Sequence, residues 1–268
     1  ASALAFGASA DRRSEGGAPP CLWDDDGFAG EIEADGHRAR WNLRFAAGGE
    51  ASEEAHLLMP PSLRRLTDRR AILTIPRPRA TLSGVVEVDG RAIDVAVAHG
   101  HQAHHYGRER AAGWDWAHCA HFAEDPHAVV EALAPQLGGG LLQPTFLHLH
   151  TSHRVYRCEG ASDLVRNRSD AGLGWWRFVG HEGRTRIVAE FSAAPDLVLP
   201  FTYHSTAYVP SRCWNAQVAD CLVRVFDGER QAAVLRSRGM AAAEMHRTEL
   251  ADLPYESWSR PPGDGRSA

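Results

Sequence analysis

The chain has 268 residues, 44% of them hydrophobic and 24% charged, and a formal net charge of -5. These are globular proportions with enough apolar material for a self-sufficient core, no apolar run near the roughly 18 residues of a membrane-spanning helix, and no basic surplus to hold nucleic acid. All 29 basic residues are Arg, a bias of base composition more than of chemistry.

Five cysteines (Cys21, Cys119, Cys158, Cys213 and Cys221) are odd in number and contain no CxxC pair, so they suggest neither a disulfide framework nor a zinc knuckle. The opening residues, ASALAFGASA, lack a basic leader. The expectation is a cytoplasmic protein acting on a small molecule.

Taken in chain order, residues 10–20 read as a Gly- and Pro-rich loop, and Asp24-Asp25-Asp26-Gly27 as a solvated turn, since no Glu follows at the EF-hand interval. From His37 to Phe45 the alternation is clean, with His37, Ala39, Trp41, Leu43 and Phe45 on one face and Arg38, Arg40, Asn42 and Arg44 on the other. Asp89-Gly90 between Thr81–Val88 and Arg91–Ala98 supplies the positive φ of a tight hairpin. Further strands are expected at Ala71–Ile75, Thr145–His150, Gly174–Val179, Arg184–Phe191, Thr202–Val209, Val218–Phe226 and Ala232–Ser237.

One helix is expected, Pro126–Ala134, with Asp125 as its cap and Gly138-Gly139-Gly140 after it. Many strands and almost no βαβ alternation predict an all-β protein, and no GxGxxG, P-loop or GxSxG motif argues otherwise. Two antiparallel lobes are expected, over residues 1–140 and 141–268, before a frayed tail from residue 257.

Chemistry concentrates at one place. Seven of the fifteen histidines (His99, His101, His104, His105, His118, His121 and His127) fall between residues 99 and 127, where even scatter would leave about one or two. Two strand-like arms are expected to meet there as a hairpin around residues 107–113. That hairpin would lay His104 and Tyr106 beside Trp114, Trp116 and His118, which share one face of the second arm while Asp115 and Ala117 take the other.

A His near its ordinary pKa donates or accepts a proton at neutral pH, and Trp faces hold an apolar substrate and stabilise developing positive charge. The plainer reading is a well-packed hairpin with hydrogen-bonded ring tips.

Gly100-His101-Gln102-Ala103-His104-His105-Tyr106-Gly107, followed by Trp114-Asp115-Trp116, resembles the Y-H-D-H-N-W-G…W-x-W signature of the lipocalin-like family of carotenoid 1,2-hydratases and lipocalin-like Diels–Alderases. The preceding hairpin Val85–Val97 and the later Arg184-Thr185-Arg186, Tyr208 and Cys213-Trp214-Asn215 are similar in flavour. The resemblance implies two side-by-side calycin-like barrels around an apolar cavity. It also implies hydration, cyclisation or isomerisation of an isoprenoid- or polyketide-like substrate.

Carried over by position, His104 is the acid or base, Tyr106 the orienting donor in place of the usual Trp, and Trp114 and Trp116 the cavity wall. His101, His105 and His118 are further substrate-binding residues. Ala103 stands where the signature has Asp and His105 where it has Asn, so the carboxylate proton donor of the signature is missing and hydration by that route is in doubt.

A non-catalytic carrier of an apolar ligand is the main alternative. A metalloenzyme is the other, built on His101, His104 and His105, or on His118 and His121, or on His148-Leu149-His150. No three-ligand spacing or HExxH supports it, so no cofactor is expected. Cys119 sits on the opposite strand face from its His neighbours, which is poor placement for a nucleophile and its base. Trp175-Trp176 should give one indole to each face, and Tyr203, His204 and Tyr208 read as strand packing.

Overall fold

The computed structural model describes residues 21–23, 26–46, 56–57, 72–106, 111–137, 140–204 and 210–247. The protein is all-β. Its backbone contacts divide it into two compact units, one of Ala1–His56 with Thr74–His105, the other of Leu57–Leu73 with Tyr106–Ala268.

The first unit holds β1 (Leu22–Trp23), β2 (Gly27–Ala34), β3 (His37–Phe45), β5 (Ile72–Val88) and most of β6 (Arg91–Tyr106). With β4 (His56–Leu57) these make a six-stranded sheet in the order β1-β2-β3-β5-β4, and β6 also pairs with β5. The expected alternation of β3 holds from Arg38 onward: Leu43 is buried and Ala39, Trp41 and Phe45 half-buried, while Arg38, Arg40, Asn42 and Arg44 are exposed; His37, expected on the inward face, is exposed at the turn. Asp89 and Gly90 carry φ of 50° and 78°, the backbone of a type I′ turn. The same dipeptide makes the same turn at Asp35-Gly36, with φ of 53° and 81° between β2 and β3.

The second unit is a ten-stranded antiparallel sheet containing β7 (Gly113–Cys119), β8 (Val129–Gln136), β9 (Phe146–His150), β10 (Val155–Cys158), β11 (Arg168–Gly172), β12 (Trp175–Glu182), β13 (Thr185–Ser192), β14 (Val198–His204), β15 (Pro210–Asp227) and β16 (Arg230–Arg247). The order is β10-β9-β8-β7-β16-β15-β13-β12-β11, with β14 on the first half of β15. The sheet therefore takes strands from both sides of residue 140.

One face carries the core, which includes Leu147, Leu149, Trp176, Phe178, Ile187, Phe191, Val223 and Met245, with Phe178 and Phe191 edge to face at 6.1 Å. The sheet rolls up over it. A Cβ on Gly180 of β12 would lie 2.8 Å from Cys158 of β10 and 3.1 Å from Leu147 of β9, so only glycine allows this approach. Asn167 pins the same seam, its Nδ2 donating to the carbonyls of Thr145 and Cys158 and its Oδ1 accepting the His181 N–H. Among the described residues the two ends of the sheet meet there without a ladder. The roll is barrel-like but not the closed barrel that the resemblance implies.

The expected helix at Pro126–Ala134 is a strand instead. Asp125 accepts the His127 N–H, as a cap would, but it also accepts the N–H and hydroxyl of Ser152, which closes a turn onto the loop after β9. The chain then enters β8, where β-branched Val129 pairs with β9 and Val130 with both β7 and β9. Because β8 is buried on both faces at its start, no polar alternation marked it as a strand. The short helix lies elsewhere, at α1 (Ala161–Leu164). No helix among the described residues is long and apolar enough to cross a membrane.

Candidate functional site

Strand β7 presents two different surfaces. Ala117 and Cys119 belong to the core cluster, and Asp115 shares their face. Trp114, Trp116 and His118 alternate onto the other face, as the sequence predicts. Register then decides their neighbours. On one side β8 sets Glu131 opposite His118 and Leu133 opposite Trp116, and on the other β16 sets Glu244 opposite Trp116 and His246 opposite Trp114. One strand further, β9 places His148 opposite Glu131 and Phe146 opposite Leu133.

This face is buried although it turns away from the core cluster: Glu131 is 0% exposed, His148 2% and His118 5%. A carboxylate so deep must be hydrogen-bonded, and Glu131 is. Its Oε1 accepts the Trp116 indole N–H at 2.6 Å, and its Oε2 lies 2.5 Å from His118 Nδ1. The Trp116 and His118 rings lie parallel within 5°, their centroids 6.3 Å apart.

Burial pushes the His118 imidazole pKa down to about 3, so the ring is neutral at neutral pH. The contact with Glu131 is then a hydrogen bond from a neutral Nδ1–H to a carboxylate, with no imidazolium required. That tautomer leaves Nε2 with its lone pair, a base held in one orientation by a carboxylate behind it.

A second carboxylate organises the neighbouring aromatic group. Glu244 accepts the Trp114 indole N–H at 3.1 Å and the Asn215 side-chain N–H at 2.7 Å, and Gln217 donates in turn to Asn215. The Trp114 ring stacks on His246 at 4.1 Å and 5°. Together these strands bring an oriented imidazole, two fixed indoles and the apolar side chains of Leu133 and Phe146 onto one face, the mixture expected of a surface that holds an apolar molecule and handles a proton on it.

Of the residues predicted from sequence, Trp116 and His118 are joined through Glu131, and Trp114 lies on the same face. His101 is half-buried in β6. His104, His105 and Tyr106 end the same strand, and their side chains lie outside the described residues, as do Asp24, Asp25, Tyr208 and the tail from residue 257. The expected hairpin between the two arms does not form, because β6 pairs with β5 while both edges of β7 are taken, by β8 and β16.

Sequence reasoning missed Glu131, Glu244 and His246. A lone Glu inside the apolar runs VVEALA and AAAEMH was the available signal, and reading the first run as a helix hid it. Of the indole pair, Trp176 is in the core and Trp175 half-buried on the other face, as expected. Among the described residues no group of three or more His, Cys, Asp or Glu side chains is arranged to hold a metal ion.

The first unit carries an open concavity of about 410 Å³ over β2, β3 and β5, lined by Glu31, Arg40, Asn42, Val85 and Glu87. Arg38 and Arg40 both bond Glu31 there in solvent. It has no buried polar group to match Glu131.

No family model matches the chain, and no curated protein matches it in sequence. Solved structures do match in shape. One is an AttH protein from Nitrosomonas europaea, 12% identical, with a TM-score of 0.48 over 85% of this chain and 68% of that one. Another is kievitone hydratase from Nectria haematococca, 8% identical, with a TM-score of 0.47 over 83% and 65%. A third is CghA, 10% identical, with a TM-score of 0.47 over 88% and 82%. The likeness is one of shape and not of sequence. The chain spans about two thirds of the length of the first two proteins.

Proposed function

We propose that the face built by β7, β8 and β16 is the active site of an enzyme that moves a proton on a largely apolar small molecule, in a cyclisation, isomerisation or hydration. The observation that carries this reading is the fully buried Glu131, which accepts N–H groups from both Trp116 and His118. A plain packing role would be served as well by a Leu, whereas a buried carboxylate costs several kcal/mol of desolvation and is repaid only by its donors. What it adds is a neutral His118 whose Nε2 can take a proton from substrate and return it. Trp114 and Trp116, with Leu133 and Phe146, supply the apolar contact, and the indole faces suit a substrate that gains positive charge.

The chemical classes to offer are isoprenoid- and polyketide-like compounds. His104 keeps the acid or base role and Tyr106 the orienting role that the motif implies for them, and His101 and His105 the binding role, each on sequence alone. Incubation of purified protein with such a panel, read by mass spectrometry for turnover and by tryptophan fluorescence for binding, tests the reading. His118→Gln should reduce turnover about a hundredfold or more, within the usual range for a proton-transfer group, while ligand affinity changes less than about threefold. Trp114→Phe and Trp116→Phe should each reduce the fluorescence quench, and Trp175→Phe should not. His104→Ala in the same assay reads the motif assignment separately. Saturable binding with no turnover in the parent would make the protein a carrier and end the catalytic reading.

A further inference from the structure

On the face that holds Glu131, four titratable or charged side chains stand in one cross-strand row: His118 on β7, Glu131 on β8, His148 on β9 and Arg157 on β10. Directly opposed residues on antiparallel strands have Cβ atoms about 5 Å apart, close enough for a single water to bridge the step from Glu131 to His148. Glu159, just past Arg157, completes the row, with its Oε2 3.0 Å from His148 Nε2.

Exposure is graded along it. The side chain of Glu131 is 0% exposed, that of His148 3% and that of Glu159 17%. An imidazole placed between a deep carboxylate and a shallow one can take a proton at one nitrogen and release it from the other. A hydrogen bond needed only for packing would not require a second His–Glu pair leading outward from the first.

We propose that His148 and Glu159 connect the His118–Glu131 pair to solvent as a proton path. This rests on the reading of His118 as the group that exchanges protons with substrate. When His118 takes a proton at Nε2, its Nδ1 proton passes to Glu131. Glu131 gives a proton to His148 Nδ1 as the His148 Nε2 proton moves to Glu159, and Glu159 loses it to water. One proton enters and one leaves, the buried charge is the same before and after, and the reverse order returns the proton and restores each tautomer.

Among the described residues, His118 from β7, His150 further along β9 and Arg157 from β10 share the face of the path. Glu182 of β12 accepts the Arg157 backbone N–H.

The path is read directly by the rate at which the His118 Nδ1–H exchanges with water, measured by saturation transfer on protein labelled with 15N-histidine. Glu159→Gln and His148→Phe should each slow this exchange about tenfold or more, and Glu159→Asp should restore it to within about threefold of the parent. The backbone amide of His118 reports local opening of the strand and should keep its parent rate in all variants. Should His148→Phe not fold, Glu159→Gln, at the shallow end, carries the test alone. Parent exchange rates in Glu159→Gln would overturn the path. The two readings separate cleanly, since lost turnover in His118→Gln with parent exchange rates in Glu159→Gln sinks only the path, and slowed exchange in Glu159→Gln of a protein without turnover sinks only the enzyme.

Discussion

Two carboxylates lie buried on opposite faces of the same part of the sheet, and their surroundings differ in kind. Asp115, 1% exposed, meets a full cation: Arg247 Nη2 lies 2.5 Å from its Oδ1, while Gln143 and Ser169 donate to its Oδ2. Burial pushes its pKa up, and Arg247 first, then Ser169 and Gln143, work against that rise. Glu131 takes N–H groups from two aromatic rings, one an imidazole that can give its proton away.

The first arrangement satisfies a charge and ties β7 to β11, to β16 and to the segment before β9. The second keeps a proton available. A buried acid beside Arg is therefore read as architecture, and a buried acid beside a neutral His as chemistry.

The largest effect expected from this contrast is on turnover. Glu131→Gln preserves shape and can still accept one N–H, yet it no longer holds His118 in a single tautomer, so activity should fall about a hundredfold or more while melting changes little. Asp115→Asn should do the opposite, leaving the rate per folded molecule within a few-fold of the parent. Asp115→Ala should destabilise by about 3 kcal/mol, since it leaves a largely buried guanidinium without its partner. Thermal melts and rates on the same preparations decide it, and a rate collapse in a well-folded Asp115→Asn would erase the distinction.

A smaller effect follows from His118 itself. Its pKa is about 3 folded and about 6.5 unfolded, so between those values the unfolded chain binds a proton that the folded one refuses. Stability is fully present above about pH 6.5 and falls as the pH drops toward 3, by up to about 1.4 kcal/mol per pH unit from this group. Urea midpoints from pH 7 to 4 should show that slope reduced by about one proton in His118→Gln. An unchanged slope would mean that His118 is not shielded.

Local features were well legible in the sequence. Strand β3 and the Asp89-Gly90 turn come from two-residue periodicity and one dipeptide, which need no knowledge of distant partners. His118, Trp114 and Trp116 were legible as one face for the same reason. Glu131 was not, because β8 is buried on both faces where it begins, and buried strands lose the alternation that identifies them.

The partners of Trp114 were out of reach as well. Glu244 and His246 arrive from a strand about half the chain away, and nothing near Trp114 signals that β16 and not β6 will occupy its edge. The site residues that could be named were those whose own strand alternates. Those that orient them had to be found across the sheet.

Every role proposed for this face depends on Glu131 holding a neutral His118 with its proton on Nδ1. Nitrogen-15 chemical shifts of the His118 ring, followed from pH 8 to 5 in the parent and in Glu131→Gln, test it most directly. The parent ring should show a single Nδ1–H tautomer that does not titrate over this range, and Glu131→Gln a mixture of tautomers. A parent ring that titrates near pH 6.5, or that carries its proton on Nε2, would contradict it.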